Sequence, residues 1–448
     1  MAAYGGLHIV VAVLVNGLLI AYLSLFPALF AVITARLTAA GGAPALLLAP
    51  CVWVATELGR THLFTGFPWV LLGYSQANVL PVAQVASLSG VYGLSALVAA
   101  VSAAMAYAAV TVRRRYLPLA AVLALIGGLS VWGSLRIARA TLTDEGQALR
   151  VGLIQGNVAQ QDKWDESKAG AIFAEYLRMT RQAIGRGAEI VLWPESATPF
   201  YFEEDRAGAD QVRRLAREAR VPILLGSDQI ERGAAPKYYN AAFLVRADGS
   251  SGGVYRKMHL VPFGEYVPLK RVLFFAGPLV EAVSDFSAGQ AAVLLPVNGH
   301  LLSTSICYEV VYPDLVRQSV KAGSELLTTI TNDAWFGRTS APYQHFSQAA
   351  MRAIENGRYL VRSANTGISG IVDPYGRVLE NTGIFAPAIV VGEARFLQGS
   401  TLYSRFGDVI AYASTLVAAV ALLLVRRSAP GGRTLPASPN GRAIRHVK

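Results

Sequence analysis

The chain has 448 residues, of which 53% are hydrophobic and only 15% charged, against roughly 25% charged in ordinary soluble proteins. This balance excludes a typical soluble protein and points to an integral membrane protein carrying one large water-facing domain. The net charge of +11 would suit a nucleic-acid binder, but its distribution does not. From Ala140 to Gly407, basic and acidic residues balance at 27 each; the excess lies mostly in Arg36, in Arg113, Arg114 and Arg115, and in a tail after Val425 with six basic and no acidic residues. Without a basic face, nucleic acid is not an expected partner.

Residues 1–35, 37–56, 63–112 and 116–135 contain no Asp, Glu, Lys or Arg, and 409–425 is an apolar run of 17 residues. A bilayer needs roughly 20 such residues per helix. The pattern predicts five membrane helices, near 7–35, 43–58, 88–112, 116–136 and 407–425. It thus predicts an amino-terminal membrane region over 1–138, a last span over 405–426 and a basic tail over 427–448. Within 63–89, the run TGFPWVLLGYSQANVLP is too rich in Gly and Pro for a straight helix and too apolar for an ordinary loop. A re-entrant or membrane-surface segment lining a lipid access path is expected there, because irregular backbone at bilayer depth survives only against protein or a wet cavity.

The basic positions fall in alternate loops, which the positive-inside rule assigns to the cytoplasm. The large domain is then expected on the opposite side, the periplasm of a bacterium, with the chain a multi-pass protein of the inner membrane. The same parity puts Met1 outside with no basic flank before it, so an odd number of preceding helices is expected upstream.

Residues 148–400 alternate strand and helix patterns. Strands are predicted at 149–158, 189–193, VPILLGS and AAFLVRADGS, the last with a turn at Asp248 and Gly249; helices are predicted at 168–184 and 209–220. Further on, LLSTSIC and ELLTTIT read as strands, 343–356 as a helix and ISGIVDPYGRVL as a hairpin turning at 373–376. The fold class is a helical transmembrane bundle plus a layered α/β sandwich.

The chemistry lies at strand ends. Cys307 closes LLSTSIC just before a run that opens a helix, the turn on which a nucleophile is exposed. VLWPES presents Glu195, and YRKMHLVPFGEYVP presents Lys257 and Glu265. A thiol is a weak nucleophile until it ionises, so Glu195 is the candidate base; Lys257 supplies a fixed positive charge for the oxyanion that forms when a carbonyl is attacked. Glu195 can then return the proton to the leaving group. With two cysteines, no disulfide framework is implied, and Cys51 reads as helix packing. The six His residues show no ligand spacing, so neither metal nor cofactor is expected.

In this order and spacing, QGN, WPES, YRKMHLVPFGEYVP, SICYE and TNDAWFG resemble the nitrilase, or carbon-nitrogen hydrolase, superfamily, with its Glu, Lys and Cys triad and αββα sandwich. Joined to LIAYLSLFPALF, TGFPWVLLGYSQ and SGVYGLSALV, they resemble the apolipoprotein N-acyltransferases of bacterial membranes. That resemblance implies a phospholipid acyl donor, a diacylglyceryl-modified apolipoprotein as acceptor and a thioester on Cys307. It also implies that Glu265 is a second active-site carboxylate, that Tyr308 and Glu309 shape the pocket, and that Trp164 is a mobile aromatic near the lipid entrance. Asn240 and Trp335 are expected as pocket walls. Members of this family have eight membrane helices, so three are expected to be missing here. The same triad would also serve a membrane-anchored amidase using water as acceptor, and an inert domain of this fold would serve a lipid-binding scaffold.

Overall fold

The computed structural model describes residues 9–163, 165–262, 264–266 and 285–428. Among these described residues, three helices are long and apolar enough to cross a membrane, over Ala12–Gly41, Ala86–Val110 and Leu117–Asp144, and Val409–Val425 is a shorter apolar helix. The first, α1 (Ile9–Gly41), exposes Leu14, Leu18, Leu25 and Leu29; a helix apolar on all sides suits lipid, not water. The region expected as a single helix over 43–58 is divided. A 3-10 turn, Ala43–Leu48, with Pro44 near its start, leads into α2 (Ala49–His62), which is only 14 residues long. α2 buries Glu57, whose Oε1 accepts from Trp53 Nε1 (3.0 Å) and from the Leu72 amide (2.6 Å). Its carboxylate therefore anchors the irregular segment that follows.

That segment is irregular, as its Gly and Pro content predicts. Two 3-10 turns, Leu63–Thr65 and Leu72–Gln76, flank residues with positive φ at Gly66 (81°) and Val70 (52°). At Gly66 a side chain would meet the Thr61 carbonyl oxygen at 1.8 Å, so only glycine fits. The segment docks on the large domain: Trp69 Nε1 donates to Gln344 Oε1 (2.8 Å), and the Tyr312 hydroxyl donates to Thr65 O (3.2 Å) and Gly66 O (3.1 Å). α3 (Ala86–Val110) breaks at Gly90, φ 66°, which leaves the Val91 amide to donate to Glu355 Oε1 (2.9 Å). α4 (Leu117–Arg139) packs against α3.

The large domain holds two six-stranded sheets. One is ordered β12-β1-β2-β3-β4-β5 and the other β11-β10-β9-β8-β7-β6. In chain order the first seven strands are β1 (Ala148–Gln155), β2 (Ile190–Leu192), β3 (Ile223–Glu231), β4 (Lys237–Val245), β5 (Ser251–Arg256), β6 (Leu295–Val297) and β7 (His300–Ile306). The rest are β8 (Leu326–Thr331), β9 (Leu360–Ala364), β10 (Gly370–Val372), β11 (Val378–Asn381) and β12 (Ala388–Arg395). Side chains alternate across each strand. Val151, Leu153, Leu224 and Leu244 of one sheet meet Leu302, Ile306, Ile330 and Val361 of the other in the central core. The opposite-facing Ile154, Val191, Ile223 and Phe243 pack under α5 (Glu166–Gly185) and α6 (Arg206–Ala219). α7 (Pro313–Lys321) and α8 (Ala341–Asn356) cover the second sheet, completing four layers. Each fully buried Leu or Ile in these layers contributes roughly 1.5–3 kcal/mol.

The strands and helices expected in this domain all have counterparts here, whereas β6, β9 and β12 correspond to no sequence expectation. In β9, Arg362 and Ser363 are fully buried and hide the apolar pattern. α9 (Val409–Ser428) returns to pack on α1 and α2.

Candidate active site

The site lies at the carboxyl ends of strands from both sheets. β7 ends at Ile306, and the next residue, Cys307, has φ 53° and opens a 3-10 turn, Cys307–Val311. A left-handed conformation in a residue other than glycine stores strain and persists only where its surroundings enforce it. Glu309 helps to enforce it: Oε2 accepts from the Ile306 amide (2.7 Å), while Oε1 accepts from the Met258 (2.7 Å) and His259 (3.1 Å) amides. The Tyr255 hydroxyl lies 2.9 Å from both oxygens. Glu309 therefore braces the nucleophile turn against the residues following Lys257. Burial pushes its pKa up to about 7, against the pull of those amides and of Lys257.

Glu195 follows β2 by three residues. The chain can turn there because β3 passes close by: a side chain on Gly226 would meet the Pro194 carbonyl oxygen at 2.4 Å. Glu195 Oε2 accepts from the Asn332 amide (2.8 Å) and Oε1 from Asn240 Nδ2 (2.7 Å). Lys257 stands at the end of β5 and is 1% exposed. Its Nζ lies 2.8 Å from Glu265 Oε1 and 3.6 Å from Glu195 Oε1. Burial opposes its charge, but Glu265 and Glu195 outweigh this and hold its pKa well above the usual lysine value. Glu265 also accepts from Asn240 Nδ2 (3.0 Å) and the Val261 amide (2.8 Å).

The half-buried Cys307 thiol lies in the field of these groups. Burial, and then the Glu195 charge, push its pKa up against the pull of Lys257. The resting group is thus a thiol, and its proton must leave as the sulfur attacks.

The structure brings Glu195, Lys257, Glu265 and Cys307 into one cluster. Asn240, expected as a pocket wall, instead bridges the two carboxylates. Glu309 is a buried strut between Lys257 and Cys307 and not simply a surface shaping the pocket. Tyr308 is buried and stacks on Trp69 at 6.3 Å between centroids. Trp335 is 42% exposed and stands outside the buried cluster, while Trp164 lies outside the described residues.

Several supporting residues correspond to no sequence expectation. Lys163 is buried and donates to the Glu195 carbonyl oxygen (3.1 Å); burial pushes its pKa down against Glu195 and Asp228. Burial raises Asp228 to about 6, against Lys163 and a hydrogen bond from Ser196 Oγ (3.0 Å). Behind Cys307, His345 Nε2 lies 3.1 Å from the Cys307 carbonyl oxygen and donates to it, and Arg362 pairs with Asp333 Oδ2 at 2.9 Å, all three side chains fully buried. The one advance signal was TNDAWFG, whose Asn332 caps the 3-10 turn Asp333–Phe336 by accepting from the Ala334 amide.

Burial opposes ionisation of Asp333, yet the Arg362 guanidinium overcomes it and holds its carboxyl at about 2. A depressed carboxylate pKa stabilises the fold above about pH 3.9, and that contribution is lost as pH falls towards 2. Asp333→Asn leaves a buried guanidinium unpaired. We expect a loss of about 3–5 kcal/mol at pH 7 and a flatter stability profile between pH 4 and 2, measured by denaturant unfolding in detergent. An equal loss at pH 7 and pH 2 would refute the assignment.

A family described as carbon-nitrogen hydrolase matches residues 150–395, and one described as apolipoprotein N-acyltransferase N-terminal domain matches residues 1–104. Apolipoprotein N-acyltransferase of Geobacter metallireducens is 41% identical over 432 residues, 95% of this chain and 83% of that protein. The proteins of the same name from Methylococcus capsulatus and Azotobacter vinelandii are 36% and 38% identical, covering 91% and 96% of this chain and 80% and 83% of their own lengths. Among solved structures, an amidase from Nesterenkonia sp. aligns with 60% of this chain and 97% of its own, at 22% identity and a TM-score of 0.43. Because the similarity to full-length relatives runs through the membrane helices and the large domain alike, the chain belongs to the apolipoprotein N-acyltransferase family.

Proposed function

We propose that this acyltransferase works by a ping-pong mechanism in which Cys307 carries the acyl group between two lipid substrates. Glu195 takes the thiol proton as sulfur attacks the ester carbonyl of a membrane phospholipid such as phosphatidylethanolamine. The oxyanion forms beside Lys257, held charged by Glu265. The ester C–O bond then breaks, Glu195 returns the proton to the departing alkoxide, and a lysophospholipid leaves. In the second half, the free α-amine of a diacylglyceryl-modified amino-terminal cysteine attacks the thioester. Glu195 removes its proton, the C–S bond breaks, and the thiol is restored. The products are an amide-linked third acyl chain on the apolipoprotein and free enzyme.

The observation that carries this reading is the seam between nucleophile and membrane region. Tyr308, next to Cys307, packs against Trp69 and Phe67 (6.1 Å between centroids) of the irregular segment that follows α2. This seam sets the thiol beside the membrane region, the side from which a lipid donor would arrive and one that a small soluble amide would not need. We further propose a membrane region over 1–138, a catalytic domain over 148–400, a last span over 405–426 and a basic tail over 427–448. On this reading the protein sits in the inner membrane with its catalytic domain in the periplasm, because Arg36, Arg113–Arg115 and the tail occupy alternate loops.

Purified protein given phospholipid and no amine is expected to accumulate acyl-Cys307, with one equivalent of lysophospholipid, by mass spectrometry. Adding a diacylated lipopeptide with a free amine should discharge it. Steady release of free fatty acid without an amine would make water the acceptor and the protein a hydrolase.

A further inference from the structure

Lys257 has a counterpart on the loop from β1 to α5. Lysine is almost never buried unless paired, yet Lys163 is buried and donates from Nζ to the Glu195 carbonyl oxygen (3.1 Å). The loop that carries it is fastened along its length. The Asn157 and Val158 amides donate to Asn365 O and Oδ1, both at 2.9 Å. Further on, Gln160 Oε1 accepts from Asn332 Nδ2 (2.8 Å), and the amide of that same Asn332 holds Glu195 Oε2 (2.8 Å). The loop thus grips the base twice, at its backbone through Lys163 and at its carboxylate through Asn332.

The turn that Lys163 holds needs such support. Ser196, the residue after Glu195, has φ 42°, a left-handed conformation that persists only where neighbours enforce it. Its Oγ donates to Asp228 Oδ1 (3.0 Å). Asp228 is buried on β3 and pairs in register with Asn240, whose Nδ2 reaches Glu195 Oε1 (2.7 Å). Burial opposes the charge on Lys163, and Glu195 and then Asp228 favour it. Glu195 accordingly faces charged groups from every side: Lys163 on the loop, Asp228 on β3, Lys257 and Glu265 at and beyond the end of β5, and the Cys307 thiol after β7.

Resting on the reading of Glu195 as the base, we propose that Lys163 is a positioning residue for it: Lys163 pins the Glu195 turn and, balanced by Asp228, keeps the carboxylate ionised and ready for the thiol proton. Lys257 serves the oxyanion, and Lys163 serves the base.

The full chain in mixed micelles tests this through the pH dependence of thioester formation, measured from pH 5 to 9 with phospholipid below its KM. There the acid limb reports the base of the free enzyme. A cation beside a carboxylate favours its ionised form, and an anion disfavours it. Lys163→Met should therefore move the acid limb to higher pH, by on the order of one unit, while Lys163→Arg keeps it near the wild-type position. Asp228→Asn should move the limb to lower pH, and combining it with Lys163→Met should bring the limb back towards wild type. A lysine that merely packs the loop would lower the rate equally at every pH. The position of a limb within one profile does not depend on how much of the preparation is folded. An unmoved limb in Lys163→Met, or no acid limb in wild type or any variant, would overturn the proposal. If Lys163→Met does not fold, Asp228→Asn decides alone, and a limb that stays or rises overturns it. No thioester in wild type at any pH would instead overturn the acyltransferase reading on which the proposal rests.

Discussion

Cys307→Ala is expected to abolish acyl-thioester, lysophospholipid and N-acylated lipoprotein together, a loss of roughly 10⁴-fold or more, as when a nucleophile is removed from a coupled catalytic set. The fold should survive, because the substitution deletes one half-buried sulfur and relieves nothing that Glu309 holds. Cys307→Ser is the more searching variant. Burial and the Glu195 charge already push the thiol's pKa up, so proton transfer to Glu195 is demanding even from sulfur. A hydroxyl is far harder to ionise. The serine variant should therefore be nearly as inactive as the alanine one, with no acyl-ester detectable by mass spectrometry. Wild-type rates for the serine variant would mean that proton removal does not limit attack, and Glu195 would lose its role as base.

Glu195 and Cys307 were legible because each follows a strand with an apolar end, at Leu192 and Ile306, whereas Lys257, after the Gly-rich strand Ser251–Arg256, was legible only through the run YRKMHLVPFGEYVP. The membrane-facing segment was legible for a similar reason, since Gly66, Pro68 and Gly73 interrupt an apolar run that cannot be a loop in water. What remained hidden were contacts between distant elements. Asn240 reaches both carboxylates only because β4 pairs with β5 in the register Ala241 to Arg256, which places it beside Lys257. The Asp333, His345 and Arg362 support draws on a 3-10 turn, α8 and β9, and its charges resemble surface residues until Arg362 is found fully buried. Trp69 and Gln344 are 275 positions apart, so no local pattern announces their hydrogen bond. The second helix was misread because composition does not reveal that Glu57 is buried and held by the Leu72 amide.

Lys257→Met should produce the other large effect, and it acts on both stability and catalysis. The methionine fills the same space but leaves Glu195 Oε1 and Glu265 Oε1 sharing the Asn240 amide with no cation between them. Removing one partner from a buried charge set costs about 3–5 kcal/mol. Catalysis suffers separately, because the oxyanion has lost its fixed charge; one such donor is worth roughly 3–4 kcal/mol, a factor of about 10²–10³ in acylation rate. Lys257→Met with Glu265→Gln divides the two effects. Removing the second carboxylate restores most of the stability at pH 7, while thioester formation stays as slow as in the single variant. Denaturant unfolding at pH 7 and acylation rates on the same samples give both readouts. If the double variant recovered its rate along with its stability, Lys257 would be a structural counter-ion, and the charge that stabilises the oxyanion would have to come from elsewhere, with buried Lys163 the next candidate.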